Sequence, residues 1–177
     1  MSNHSETLHA GRFVHLKRRQ GWEYAERVNV PGIALIVAVT DAGELVLNEQ
    51  FRIPVQRRVI ELPAGLVGDQ PDCAGEALAE GARRELLEET GFAADQMAYL
   101  SAGPPSAGIT NEILTLFRAT GLRRVAAGGG VDGEGIQVHL VPLDQVPAWL
   151  RQREAEGCLI DPKVFIGLYF AAAGQAD

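Results

Sequence analysis

Long hydrophobic runs are missing from this chain, cysteine is scarce, and positive charge is in deficit. The longest apolar run, residues 33–39, is far short of the ~20 residues that span a bilayer and reads as a buried strand. No membrane partner is expected, and residues 1–13 carry no apolar segment of the kind a secretory signal needs. A soluble, cytoplasmic protein is the expectation. Two cysteines, Cys73 and Cys158, do not make a disulfide framework. Lys and Arg number 16 against 23 Asp and Glu, a net charge of −7, which is opposite to the basic footprint of a nucleic-acid binder. An acidic chain can still take a small anion if a divalent cation is recruited first. Hydrophobic residues at 46% argue against whole-chain disorder, and 177 residues suit one domain.

Residues 1–9 are polar and are expected to be loose. Segments 13–16 and 22–28, divided by Gln20-Gly21, have the alternation of half-buried strands. Residues 33–39 read as a central strand, and Asp41-Ala42-Gly43 as a hairpin signal leading into 44–49. A strand at 58–62 ends in Pro63-Ala64-Gly65, and 66–74 read as a loop. Strand material returns at 97–100, 113–119 and 136–141, the last preceded by a glycine-rich loop at 126–135. Helices are expected at 146–156 and from Asp161-Pro162 to 170, with Asp161 suited to the N-cap and Pro162 to the first helical position. Mixed strands with one central and two C-terminal helices predict an α/β (α+β) sandwich in a single domain over residues 1–177.

The chemistry concentrates in the central helix. From Gly75 onward Ala77, Leu78, Ala82, Leu86 and Leu87 recur at helical spacing, and Gly91 stops the helix. Glu85, Glu88 and Glu89 lie three, four and one residues apart, so they crowd one face. Three neighbouring carboxylates repel one another. A hard divalent cation would offset that, because Mg²⁺ takes a few carboxylates together with water and substrate phosphate. Glu76, at the helix start, could reach the same site or hold Arg84.

Glu76, seven further residues, and then Arg84-Glu85-Leu86-Leu87-Glu88-Glu89-Thr90-Gly91-Phe92 resemble the box of the Nudix hydrolases. One departure is the first glycine of that box. Gln70 stands at its spacing and Gly65 lies eleven residues before Glu76, as if five residues were inserted before the helix. The resemblance implies a mixed β-sheet sandwiched between helices. It implies Mg²⁺ or Mn²⁺ held by Glu85 and Glu89, with Glu88 in or beside that shell and Arg84 orienting the glutamates. It also implies hydrolysis of a diphosphate by a metal-activated water.

The flanks narrow the resemblance to the ADP-ribose pyrophosphatase-like branch. They are Trp22 to Arg27, Glu49-Gln50-Phe51-Arg52-Ile53-Pro54 and Glu61-Leu62-Pro63-Ala64-Gly65. The branch implies the Ala64 carbonyl as a further metal ligand and Arg52 on phosphate. It implies Trp22 or Tyr24 stacking on the base across a homodimer formed by residues 10–30. Arg27 and Glu112 are further substrate-binding candidates, and Glu134 is a candidate catalytic base on a loop able to close over substrate. His139 reads as a structural histidine. Ala107 stands where the branch often has a proline. GDP-mannose, UDP-glucose, NADH and dinucleoside polyphosphates therefore stay open beside ADP-ribose, as does a non-catalytic nucleotide sensor.

Overall fold

A computed structural model describes residues 4–68, 75–130 and 134–173. Gln70, Cys73 and the insertion expected before the central helix lie outside the described residues. Among the described residues no helix is long and apolar enough to cross a membrane.

Strands β1 (Glu6–Ala10), β2 (Val14–Arg19) and β3 (Trp22–Arg27) form an antiparallel sheet. The expectation that residues 1–9 are loose is corrected for 6–9. They belong to β1, which pairs along β2 and carries a Glu6–Arg18 ion pair of 2.8 Å. A polar strand with little burial leaves no periodicity to read, and its order comes from the neighbouring edge.

The body follows as β4 (Gly32–Ala38), β5 (Glu44–Arg52), a 3₁₀ turn (Ile53–Val55), β6 (Arg57–Glu61) and β7 (Ala64–Val67). Then come α1 (Leu78–Thr90), β8 (Phe92–Ala93), β9 (Gln96–Gly103), β10 (Leu114–Thr120), β11 (Arg123–Arg124) and β12 (Gln137–Pro142). The chain closes with α2 (Val146–Ala155), β13 (Leu159–Ile160) and α3 (Lys163–Ala173). Two four-stranded sheets, β7-β4-β10-β9 and β12-β5-β6-β13, are each mixed, because β10 runs parallel to β4 and β13 parallel to β6. Residues 66 and 67, read as loop, belong to β7. Leu66 and Val67 turn apolar side chains inward and pair with Ile33 and Gly32.

The apolar core has two halves, and β4 contributes to both. Ile33, Leu35 and Val37 face a cluster with Leu45, Leu47, Ile60, Val146, Leu150 and Val164, under α2 and α3. Ala34, Ile36 and Ala38 face Val46, Val67, Ala82, Leu86 and Phe117, under α1. A strand covered on both sides is apolar at every position, which is why 33–39 reads as an unbroken run. The sheets thus lie between α1 on one side and α2 with α3 on the other, as the α/β sandwich expectation requires.

Gly91 ends α1 at φ 75°, and a Cβ there would meet the Ala126 carbonyl oxygen at 2.1 Å. The close approach exists because the glycine-rich segment docks on the helix end. Gly129 N–H donates to the Glu89 carbonyl at 2.8 Å, Gly130 N–H to that of Glu88 at 3.1 Å, and Val125 N–H to that of Gly91 at 2.9 Å. The last carbonyls of the helix are thereby satisfied. Of the glycine-rich loop expected at 126–135, residues 126–130 are bonded to the end of α1. Gly91→Ala is expected to lower unfolding free energy by about 1–3 kcal/mol, with a comparable loss of loop docking, measured by denaturant melts and amide exchange at residues 125–130.

Candidate functional site

The polar face of α1 opens on a cleft of about 390 Å³. Glu85, Glu88 and Glu89 line it from the helix, Ala64 and Gly65 from β7, and Arg52 and Glu61 from β5 and β6. Glu134 and Lys163 close it from the loop before β12 and the start of α3. Gly65 is what lets β7 lie so close to α1, since a Cβ there would meet the Glu85 carboxyl carbon at 1.9 Å. Glu134 lies across Gly130 in the same way, with Oε2 at 2.1 Å from where that Cβ would be.

Arg84 does not line the cleft but works from behind it. Its Nη1 donates to Glu85 at 2.9 Å and Glu88 at 3.1 Å, and its Nη2 to Glu76 and to the Leu66 carbonyl, both at 3.3 Å. Burial works against the guanidinium's charge, but Glu76 and Glu85 more than offset it and hold its proton more firmly than usual.

Glu89 is the withdrawn member, 7% exposed. It accepts from Asn48 Nδ2 at 2.8 Å and from the Ala64 N–H at 3.0 Å. Burial pushes its carboxyl up to about 8; the Ala64 N–H works against this, and the charges of Glu85 and Glu134 add to it. The helix compounds the strain. These glutamates sit toward the C-terminal, partially negative end of α1, whose last turn has no basic residue. Among the described residues, no three acidic, histidine or cysteine groups already converge as a formed metal site. Arg84 draws Glu85 and Glu88, while Asn48 and Ala64 hold Glu89. The donor set nevertheless fits a hard cation, consisting of carboxylate oxygens with excess negative charge and one carboxyl that burial pushes toward its protonated form.

The cations facing the cleft are each matched to a carboxylate. Arg52 Nε donates to Glu61 at 2.8 Å, Arg27 pairs with Glu112, and Lys163 pairs with Asp161. Arg27, Glu112 and Ile33 also line a second cavity of about 550 Å³, so the Arg27–Glu112 pair stands between two adjoining hollows. Trp22 and Tyr24 do not reach the cleft of their own chain. Trp22 is 65% exposed and its Nε1–H donates to the Gly108 carbonyl at 3.0 Å, while Arg19 lies over the Tyr24 ring at 5.7 Å. Pro105, not Ala107, lines the cleft from the loop after β9. His139 bonds Glu49 at 2.9 Å and packs on Trp149, in agreement with the structural reading.

Sequence reasoning missed Lys163, Gln50 and Asn48. Gln50 and Asn48 had a usable signal, since Val46, Asn48, Gln50 and Arg52 are alternate residues of β5 and share one face, which runs from core to cleft. Lys163 had none, because its place depends on how α3 folds back.

A carboxyl raised in the folded state keeps a proton that the unfolded chain releases. The stability this gives is complete below about 4.5 and is lost as pH rises toward about 8. Denaturant melts in chelator are expected to fall across that window, by up to roughly 1.4 kcal/mol per unit, and Glu89→Gln is expected to flatten the fall. A wild-type profile as flat as the variant's would contradict the burial argument.

The sequence profile described as the NUDIX domain matches residues 30–158. The chain is similar to "ADP-ribose pyrophosphatase" of Bacillus subtilis (strain 168), 33% identical over 132 residues, covering 73% of this chain and 68% of that protein. It is also similar to "Methanol dehydrogenase activator" of Bacillus methanolicus, 30% identical over 152 residues, covering 85% and 77%. Among solved structures, "Crystal structure of ADP compounds hydrolase" superposes with a TM-score of 0.72 at 20% identity, covering 98% of this chain and 94% of that one, which is a likeness of fold.

Proposed function

The chain belongs to the Nudix family of hydrolases, and from that membership we propose that it splits the diphosphate of a nucleoside diphosphate sugar into two monophosphates, with ADP-ribose the leading substrate. The observation that carries this reading is the convergence of Glu85, Glu88 and Glu89 with Arg52 and Lys163 in one cleft. Acidic groups for a cation and basic groups for phosphate face each other there. The two adjoining hollows share Arg27, Ile33 and Glu112 and fall in the usual size range for small-molecule and cofactor sites. The acidic, cysteine-poor composition supports work in the cytoplasm.

In this reading Glu85, Glu89 and the Ala64 carbonyl hold Mg²⁺ or Mn²⁺, with Glu88 in or beside that shell. A bound divalent cation supplies charge neutralisation of the diphosphate and a more acidic water. Arg84 keeps Glu85 and Glu88 in place from behind. Arg52 exchanges Glu61 for a phosphate oxygen, and Lys163 exchanges Asp161 in the same manner. Glu134, which lines the cleft from the loop before β12, takes the proton from the attacking water. Arg27 and Glu112 border the nucleoside side. Carboxylates outnumber cations in the cleft, so a diphosphate would be repelled unless that excess negative charge were offset.

Glu85→Gln and Glu89→Gln are each expected to lower kcat by several decades with folding retained. Near-wild-type turnover in both would contradict the metal assignment. The substrate is tested by Mg²⁺-dependent hydrolysis of ADP-ribose, ADP-glucose, GDP-mannose, UDP-glucose, NADH and diadenosine polyphosphates. The highest kcat/KM is expected for ADP-ribose. Preference for another member would keep the chemistry and overturn the substrate, and binding without turnover would replace the enzyme by a sensor.

The partner across which Trp22 or Tyr24 would stack is a second copy of the chain. Phe13, Val14, Leu16 and Trp22 are exposed on β2, β3 and the turn before β2, an apolar surface of the kind subunit contacts cover. Light scattering is expected to give a dimer mass, and a monomer at micromolar concentration would refute this.

A further inference from the structure

Asn48 sits in the wall behind the α1 glutamates and is 1% exposed. On its face of β5 it is preceded by Val46, buried in the α1 cluster, and followed by Gln50 at the cleft. Across the sheet it stands between Val138 of β12 and Glu61 of β6. A strand position this deep is ordinarily apolar, and an amide placed there weakens the fold unless both its ends are bonded. Only one end is. Nδ2 donates to Glu89, while the buried Oδ1 has no hydrogen-bond partner among the described residues. Leu or Val would suit the strand and its apolar neighbours better. A residue that goes against its local environment for a single contact points to what that contact does.

We propose that Asn48 is the positioning residue for Glu89, fixing its carboxylate for a divalent cation; this rests on the assignment of Glu89 as a cation ligand. Arg84 holds Glu76, Glu85 and Glu88, and no recorded bond joins it to Glu89. The fourth glutamate therefore depends on other donors, and it has two, Asn48 Nδ2 on β5 and the Ala64 N–H on β7. Both act on Oε2. Two donors from different strands set the plane of the carboxylate and leave Oε1 outside that pair of bonds. A ligand so oriented does not have to be ordered by the cation when it binds. Only proline would remove the Ala64 N–H, and it would disturb β7 as well, so Asn48 is the adjustable half of the clamp.

The test is Mn²⁺ binding to the full chain, followed by the paramagnetic resonance of the free ion, in wild type, Asn48→Leu, Asn48→Val and Glu89→Gln. Thermal melts run alongside, and Asn48→Val decides if Asn48→Leu does not fold. Both Asn48 variants are expected to bind Mn²⁺ about ten-fold more weakly or worse, with melting no lower than wild type, since an unpaired buried carbonyl has been removed. In turnover the metal concentration for half-activity rises, while the KM for nucleotide at saturating metal is unchanged. A general loosening of the fold would not give that split. Wild-type Mn²⁺ affinity in the Asn48 variants, with binding lost in Glu89→Gln, overturns the role of Asn48 and leaves the metal site standing. Wild-type affinity in Glu89→Gln removes the metal assignment, and the proposal falls with it.

Discussion

Glu89 is buried beside Glu85 at the partially negative end of α1, within electrostatic reach of Glu134, and burial pushes its carboxyl up to about 8. Within the helix Arg84 pairs with Glu85 and Glu88, and Glu89 is held from other elements. The surrounding structure is arranged around the cluster. Arg84 reaches back to three glutamates, β7 presses close enough at Gly65 to deliver a backbone N–H, and β5 supplies an amide from below. The glycine-rich segment takes up the carbonyls at the helix end, so the helix cannot fray away from its own repulsion. A divalent cation at the proposed site would supply the positive charge that this cluster lacks.

The strand β5 links core and chemistry. Its odd positions, Leu45 and Leu47, fill the cluster under α2 and α3, and then Glu49 joins Arg58, His139 and Arg153 in a network that ties α2 to the sheet. Burial would raise the Glu49 carboxyl, but hydrogen bonds from Arg58 and His139 outweigh it and hold it below the usual range. Its even positions pass from Val46 in the core, through Asn48 and Gln50, to Arg52 at the cleft. One side of the strand therefore secures the helices that close the site, and the other builds the site wall. The cleft cations held in reserve by carboxylates suit a site that binds its anion only after a cation has changed the balance of charge.

The glutamate cluster and its likeness to a family were legible because helical spacing is local. Glu85, Glu88 and Glu89 share a face wherever that helix lies. The sandwich was legible through the doubly covered strand β4 and through the change of period at α1. What escaped depends on long-range pairing. β1 and β7 are short edge strands ordered by their neighbours, Asn48 matters only because β5 passes under α1, and Lys163 only because α3 returns to the cleft. Trp22 and Tyr24 sit on β3, whose sheet meets the body at the bridge from Ala25 to Thr110. Their place relative to a nucleotide depends on a second chain, which no single sequence orients.

If Glu89 is the cation ligand proposed above, the proton that burial favours on its carboxyl would leave when a divalent cation binds. Calorimetric titration of Mg²⁺ into the protein near neutral pH, in buffers of different ionisation enthalpy, measures that exchange directly. Proton release is expected from the wild type, and less or none from Glu89→Gln. Cation binding to the wild type without proton release would contradict it.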